Sequence, residues 1–308
     1  MIEVYKYGGN LLKDKQTRIE IYKFLKKKKQ QGIKIIMVVS AFGRIGDSFS
    51  TDSLSKNIEL LTDKEKDQII TFGEIYSSYI IKNELLNEKL NVEALQYDEI
   101  GIYCDNNYQN GNIEEIEMLY LKDVIDENDI VIVPGFIAKS KEGKIISLGR
   151  NTSDLTGVII AKYFNLEKVN IIKEVEGVFK IDPKKEESKL LDKVSYDEMN
   201  SIILAGSNMF SKKTIDYAKE NDVVIEVKGL CKEKGTIISN ISSNEDIVFI
   251  NKEEDKIKVV FKDMELFNKL FKEIASKKIK LDELVIDKNI IYISGANKEI
   301  MDLINENV

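Results

Sequence analysis

Short apolar runs of β character alternate with amphipathic stretches over the first two-thirds of the chain, an order that few folds accommodate. Strands are predicted over 2–7, 33–39, 129–133, 169–172 and 223–227. Apolar residues spaced three and four apart predict helices over 13–30, 63–87, 113–126, 153–164, 196–204 and 212–220. The expected architecture is α/β, a largely parallel sheet sandwiched by helices. In such sheets ligands sit outside the carboxyl ends of the strands, where this chain places its Gly, Ser and Asp clusters. From about Glu245 the pattern becomes strand 256–261, helix 265–276, strands 283–286 and 290–294, and helix 299–306, most of a split βαββα unit. The turn-rich stretch 231–245 holds the boundary, giving an expected large domain over 1–240 and a small α+β domain over 245–308.

Composition narrows the chemistry. The 308 residues contain no histidine, which removes Ser-His-Asp triads and His-based acid-base or metal chemistry. Cys104 and Cys231 lie far apart without C-x-x-C spacing, so neither a disulfide framework nor a zinc site is expected. The net charge of −7 argues against a nucleic-acid partner, and the lysine run from Lys26 to Lys29 reads as a solvated helix face. No apolar run approaches the ~20 residues that span a bilayer. Met1 to Tyr7 goes directly into a strand without signal-peptide character, so the expected location is cytoplasmic, with no membrane partner. Lysine is used heavily, whereas Arg18, Arg44 and Arg150 are the only arginines, which raises the question of what each planar fork is for.

Five loops carry polar chemistry. Lys6-Tyr7-Gly8-Gly9-Asn10 follows the first strand; adjacent glycines let backbone amides approach a phosphate, and the lysine supplies a point charge. The later glycines of a P-loop or dinucleotide fingerprint are absent. Ser40 to Asp47 follows the second strand with two glycines, a hydroxyl and Arg44. Gly149-Arg150-Asn151-Thr152-Ser153-Asp154 runs into a helix, where an arginine beside free amides grips a carboxylate well. Lys173 to Phe179, followed by Asp182-Pro183-Lys184, forms a tight turn after the fourth strand, and Gly73-Glu74 lies within a helical region. Taken singly, each is compatible with ordinary turn or surface chemistry.

In order and in register, these stretches resemble the aspartate kinases, whose pattern is Lys-Phe-Gly-Gly-Thr, Val-Val-Ser-Ala-Met-Gly, a helical Gly-Glu, Gly-Arg-Gly-Gly-Ser-Asp, and Thr-Asp-Val-Asp-Gly-Val followed by Asp-Pro-Arg. Val194 to Met199 extends the likeness, and the tail resembles one ACT regulatory unit where the family usually has two. The resemblance implies transfer of a phosphoryl group from ATP, with Mg2+, to the side-chain carboxylate of L-aspartate, the first step toward lysine, threonine and methionine. It also implies a homodimer. By matched position, Lys6 would neutralise the transferring group, Asp154 would orient Lys6, and Gly8 and Gly9 would donate amides to phosphate. Lys173, Glu174, Gly177, Asp182 and Lys184 would lie along the nucleotide. Ser40, Arg150 and Ser153 would hold the substrate, with Glu74 on its ammonium; no protein-built metal site is implied.

The chain departs from the pattern at the site itself. Asn10 stands for a threonine, Asn151-Thr152 for two glycines, Lys173-Glu174 for Thr-Asp, and Asn208 for a lysine that faces the nucleotide phosphates, with Lys212 and Lys213 as nearby substitutes. These departures keep a second reading open, a kinase-like regulator that binds ligand without turnover. A different acceptor, such as glutamate or carbamate, fits the Arg150, Ser153 and Glu74 set less well.

Overall fold

A computed structural model describes residues 1–183, 187–253, 256–279, 281–294, 300, 303 and 304. The chain divides into two compact units, Met1–Glu176 with Val223–Lys234, and Gly177–Asp222 with Gly235–Val308.

The first unit is built on parallel strands in the order Ile225–Gly229, Val169–Lys173, Ile2–Tyr7, Lys34–Val39, Ile130–Pro134 and Val92–Ala94. Residues 35 to 39 are buried without alternation, as expected of a parallel strand covered on both faces. Helix Lys15–Gln30 starts where Asp14 accepts from the Thr17 amide at 2.6 Å and buries Ile21, Tyr22 and Leu25 in the core. Helices Phe72–Asn87, Leu119–Glu127 and Ser153–Tyr163 supply further cover.

Two predicted helices are corrected. The one over 63–87 is two, Asp63–Ile70 and Phe72–Asn87, divided at Thr71, whose hydroxyl donates back to Asp67 O at 2.7 Å. The one over 113–126 begins only at Leu119, since Ile113–Ile116 is a strand paired antiparallel with Ile102–Cys104. Its spacing fits a helix locally, but pairing with a distant segment decided the outcome. These two strands join Ile137–Ser140 and Ile145–Ser147 in a four-stranded sheet that was not predicted.

The second unit pairs Lys193–Ser195 in parallel with Thr236–Ser239 and carries helices Tyr196–Leu204 and Lys212–Glu220. It also contains the predicted small sheet, antiparallel in the order Ile247–Glu253, Lys256–Phe261, Ile290–Ser294 and Glu283–Asp287, with helix Met264–Ser276. The first of these strands was not foreseen. Ile181, beside the Asp182-Pro183 turn, bridges to Ile250 and shares the core of this sheet. The predicted helix over 299–306 falls mostly outside the described residues.

Candidate active site

Strands Ile2–Tyr7 and Val169–Lys173 run side by side with Lys6 opposite Ile171, so Lys6 and Lys173 emerge near the same carboxyl edge. Helix Ser153–Tyr163 lies close over both. At Gly157 an added Cβ would sit 3.2 Å from Val169 Cγ2 and 3.6 Å from the Lys6 side chain. That seat puts Asp154, in the first turn of the helix, between the two lysines. Lys6 Nζ lies 2.7 Å from Oδ1, and Lys173 Nζ lies 2.7 Å from Oδ2. Both ammonium groups are therefore ion-paired with this one carboxylate, and Lys173 donates a directed hydrogen bond to it.

Burial works against charge on Asp154, but Lys173 and Lys6 more than offset it and hold the carboxyl below its usual range. Lys173 is pushed below the ordinary lysine range, first by burial and then by Lys6 and Arg44, against the pull of Asp154. Two ammonium groups therefore share one buried carboxylate.

The Gly8 amide is spent on Ile172 O at 3.2 Å, so of the two glycines expected to serve a phosphate, Gly9 is the one whose amide has no acceptor among the described residues. Gly9 is tightly boxed: an added Cβ would run into Ala41 O and stand 3.0 Å from Gly43 O. The Gly43 amide donates to Gly9 O at 2.9 Å, fastening the second loop to the first. Arg18 supports this corner from below. Its fork binds Glu84 through Nε and Nη2 at 2.7 Å each, and Nη1 donates to Leu12 O at 2.7 Å. Asn10 Nδ2 donates to Glu174 Oε2 at 3.0 Å, so two of the departures from the family pattern bond to each other.

Glu74 is not a solvated helix residue. It is 2% exposed, accepts from Thr51 Oγ1 at 3.3 Å and from the Ala41 amide, and its Oε2 has no partner among the described residues. Burial pushes its carboxyl up to about 8, although these donors and the charge of Lys6 pull the other way. A buried acid with an open oxygen is suited to a cation that displaces its proton.

The arginine loop is held by Asp67, which accepts from the Ser147 amide at 3.0 Å, the Ser147 hydroxyl at 2.8 Å and the Gln109 amide at 2.9 Å. Arg150 is exposed and ion-paired with Asp52. Asn151 has φ of +60°, a left-handed conformation that asparagine tolerates, so it keeps a glycine-like backbone. Thr152 is buried and turns its hydroxyl onto Gly149 O at 2.5 Å. Ser153 is also buried and packs against Gly135, where a Cβ would lie 2.7 Å away. Ser40 accepts at its carbonyl from Ser77 Oγ at 2.9 Å.

Lys6, Gly9, Glu74, Asp154, Lys173 and Glu174 all belong to the first unit. In the second unit, Gly177 packs against Thr236 and Leu190, and Asp182 is exposed. Asn208 is exposed, Lys212 is paired with Asp216, and Lys184 lies outside the described residues. Sequence reading missed Thr51, Asp52 and Asp67. The Ser/Thr/Asp-rich stretch after the second loop was the local signal for Thr51 and Asp52, whereas Asp67 sits in a charged helix that carries none.

The model of the amino acid kinase family matches residues 1–229. The chain belongs to the amino acid kinase family. Among amino acid kinases it is similar to aspartokinase 1 of Bacillus subtilis, 29% identical over 249 residues, covering 79% of this chain and 62% of that protein. It is also similar to the aspartokinase of Bacillus sp. strain MGA3, 32% identical over 240 residues, covering 76% and 57%. The chain thus spans about three-fifths of the length of these curated relatives. The structure of Escherichia coli aspartokinase III in complex with aspartate and ADP superposes with a TM-score of 0.67 at 15% identity, covering all of this chain and 83% of that one, a likeness of fold. Among the described residues of this amino acid kinase, no helix is long and apolar enough to cross a membrane.

Proposed function

We propose that this chain is an aspartate kinase, transferring the γ-phosphoryl group of ATP to the side-chain carboxylate of L-aspartate to give 4-phospho-L-aspartate and ADP. The observation that carries this reading is the buried Lys6–Asp154–Lys173 cluster at the strand ends, electrostatically coupled to Glu74 through Lys6. A carboxylate acceptor arrives ionised, so one of its oxygens attacks phosphorus as the bond to the ADP oxygen breaks, and the leaving electron pair ends on ADP. No proton has to be removed, which suits a chain without histidine.

In this reading Lys6 lies against the transferring group and Asp154 holds it there. The Gly9 amide donates to phosphate, Lys173 and Glu174 line the nucleotide, and Glu74 receives the substrate ammonium. Arg150 takes the substrate carboxylate by exchanging Asp52 for it, with Ser153 and Ser40 beside it. Gly177, Asp182 and Lys184 are assigned to the nucleotide by matched position alone. Mg2+ enters with the phosphates of the nucleotide. A catalytic domain over 1–240, a single ACT-like domain over 245–308, a homodimer and a cytoplasmic setting complete the proposal. Formation of hydroxamate from purified protein, Mg2+, ATP, L-aspartate and hydroxylamine tests it, with L-glutamate as the control acceptor.

A further inference from the structure

The three arginines of the chain divide by partner. Arg18 is locked onto Glu84, and Arg150 is paired with Asp52. Arg44 is exposed, and its guanidinium has no hydrogen bond or ion pair among the described residues. The acid nearest to it in sequence, Asp47, is occupied with the Arg44 backbone amide at 2.9 Å and with Lys13 Nζ at 3.5 Å.

Its position is fixed by backbone. The Gly43 amide, one residue before, is bonded to Gly9 O, so the Arg44 loop rides on the glycine loop that follows Lys6. Gly43 has φ of +79°, and an added Cβ there would collide with the Asp47 carboxylate, so this turn has one tight closure. From this place the charge of Arg44 is felt at buried Lys173, whose ammonium it disfavours. Lys6 and Lys173 already share one carboxylate. Arg44 adds positive charge whose field reaches this pair from the neighbouring loop, and an anion of high charge density bound there would be drawn by all three.

We propose that Arg44 is a phosphate-gripping residue, binding the terminal phosphates of a nucleoside triphosphate together with Lys6 and Lys173. The planar fork takes two phosphate oxygens at once, which a lysine at the same place does not. The inference rests on the phosphotransfer reading above and adds to it a residue on the loop after the second strand.

The test is calorimetric titration of wild type, Arg44→Ala and Arg44→Lys with the Mg2+ complex of a non-hydrolysable ATP analogue, with ADP and with AMP, at one ionic strength. Arg44→Ala is expected to weaken the triphosphate analogue about tenfold or more and ADP by less, leaving AMP unchanged, while Arg44→Lys recovers part of the loss. The thermal midpoint stays at the wild-type value, because the guanidinium has no partner in the fold. Equal affinity of wild type and Arg44→Ala for the triphosphate analogue overturns the proposal, as does equal weakening of all three nucleotides or wild type that binds none of them. A triphosphate-selective loss without any aspartyl hydroxamate sinks the acceptor assignment alone. Hydroxamate formation with unaltered nucleotide affinity sinks Arg44 alone.

Discussion

Asn10 and Glu174, 164 residues apart in sequence, are joined by a 3.0 Å hydrogen bond between the segments that follow two adjacent parallel strands, Asn10 lying in the short helix Gly9–Lys13. Each is a departure from the aspartate kinase pattern, and together they form a matched pair. A double-mutant cycle with Asn10→Ala and Glu174→Ala should show a coupling of about 0.5–1.5 kcal/mol in chemical unfolding. Additive effects would remove the pairing as the reason both residues are present.

Glu74 gives a pH dependence with a definite sign. Its carboxyl is raised to about 8, so the free protein is most stable with respect to this group below about pH 4.5, and that contribution is lost as pH rises toward 8. Binding of an ammonium runs the other way, because it needs the ionised form. Affinity for L-aspartate should rise several-fold between about pH 7 and pH 8.5, and Glu74→Gln should bind weakly with little slope. A flat wild-type profile by calorimetry would contradict this role.

Arg18 answers the question its rarity raised, since its fork is used for structure. Replacing it with Met leaves half-buried Glu84 beside Tyr22 without its ion partner and should cost about 1–3 kcal/mol in denaturant unfolding. Arg18→Lys should cost less, because a lysine keeps the charge beside Glu84 but cannot hold both that carboxylate and the Leu12 carbonyl as the fork does.

Gly8 and Gly9 should behave differently. Gly8 has an extended backbone, φ of −71°, and the nearest atom to an added Cβ is Ile172 O at 3.8 Å, so Gly8→Ala should change stability by no more than about 0.5 kcal/mol. Gly9→Ala drives a methyl group into the backbone at Ala41 and should cost about 1–3 kcal/mol. Thermal melts of the two variants decide it, and equal behaviour would contradict the close packing of these loops.

Five of the parallel strands, the carboxyl-edge loops and most of the small antiparallel sheet were legible, because apolar runs and glycine punctuation are local signals, whereas the short strands Val92–Ala94, Lys193–Ser195 and Thr236–Ser239 were not. The strand at Ile113–Ile116 was not legible, since its apolar spacing suits a helix and only its partner at Ile102–Cys104 makes it a strand. At the site, the types and order of Lys6, Glu74 and Asp154 could be read from the chain. The sharing of Asp154 between Lys6 and Lys173 could not, because it depends on Gly157 letting the helix approach both strands. Asn151, a departure from the family pattern, adopts a left-handed backbone of the kind a glycine takes, and that conformation is not legible from composition.

The central claim is tested most directly by trapping aspartyl phosphate as hydroxamate, comparing wild type with Lys6→Ala. The account predicts L-aspartate-dependent hydroxamate from wild type and at least a hundredfold loss in Lys6→Ala, with its circular dichroism unchanged. Hydroxamate undiminished in the variant would remove Lys6 from the phosphoryl group. None from wild type that nonetheless binds ATP and L-aspartate would contradict the kinase reading and leave a ligand-binding regulator in its place.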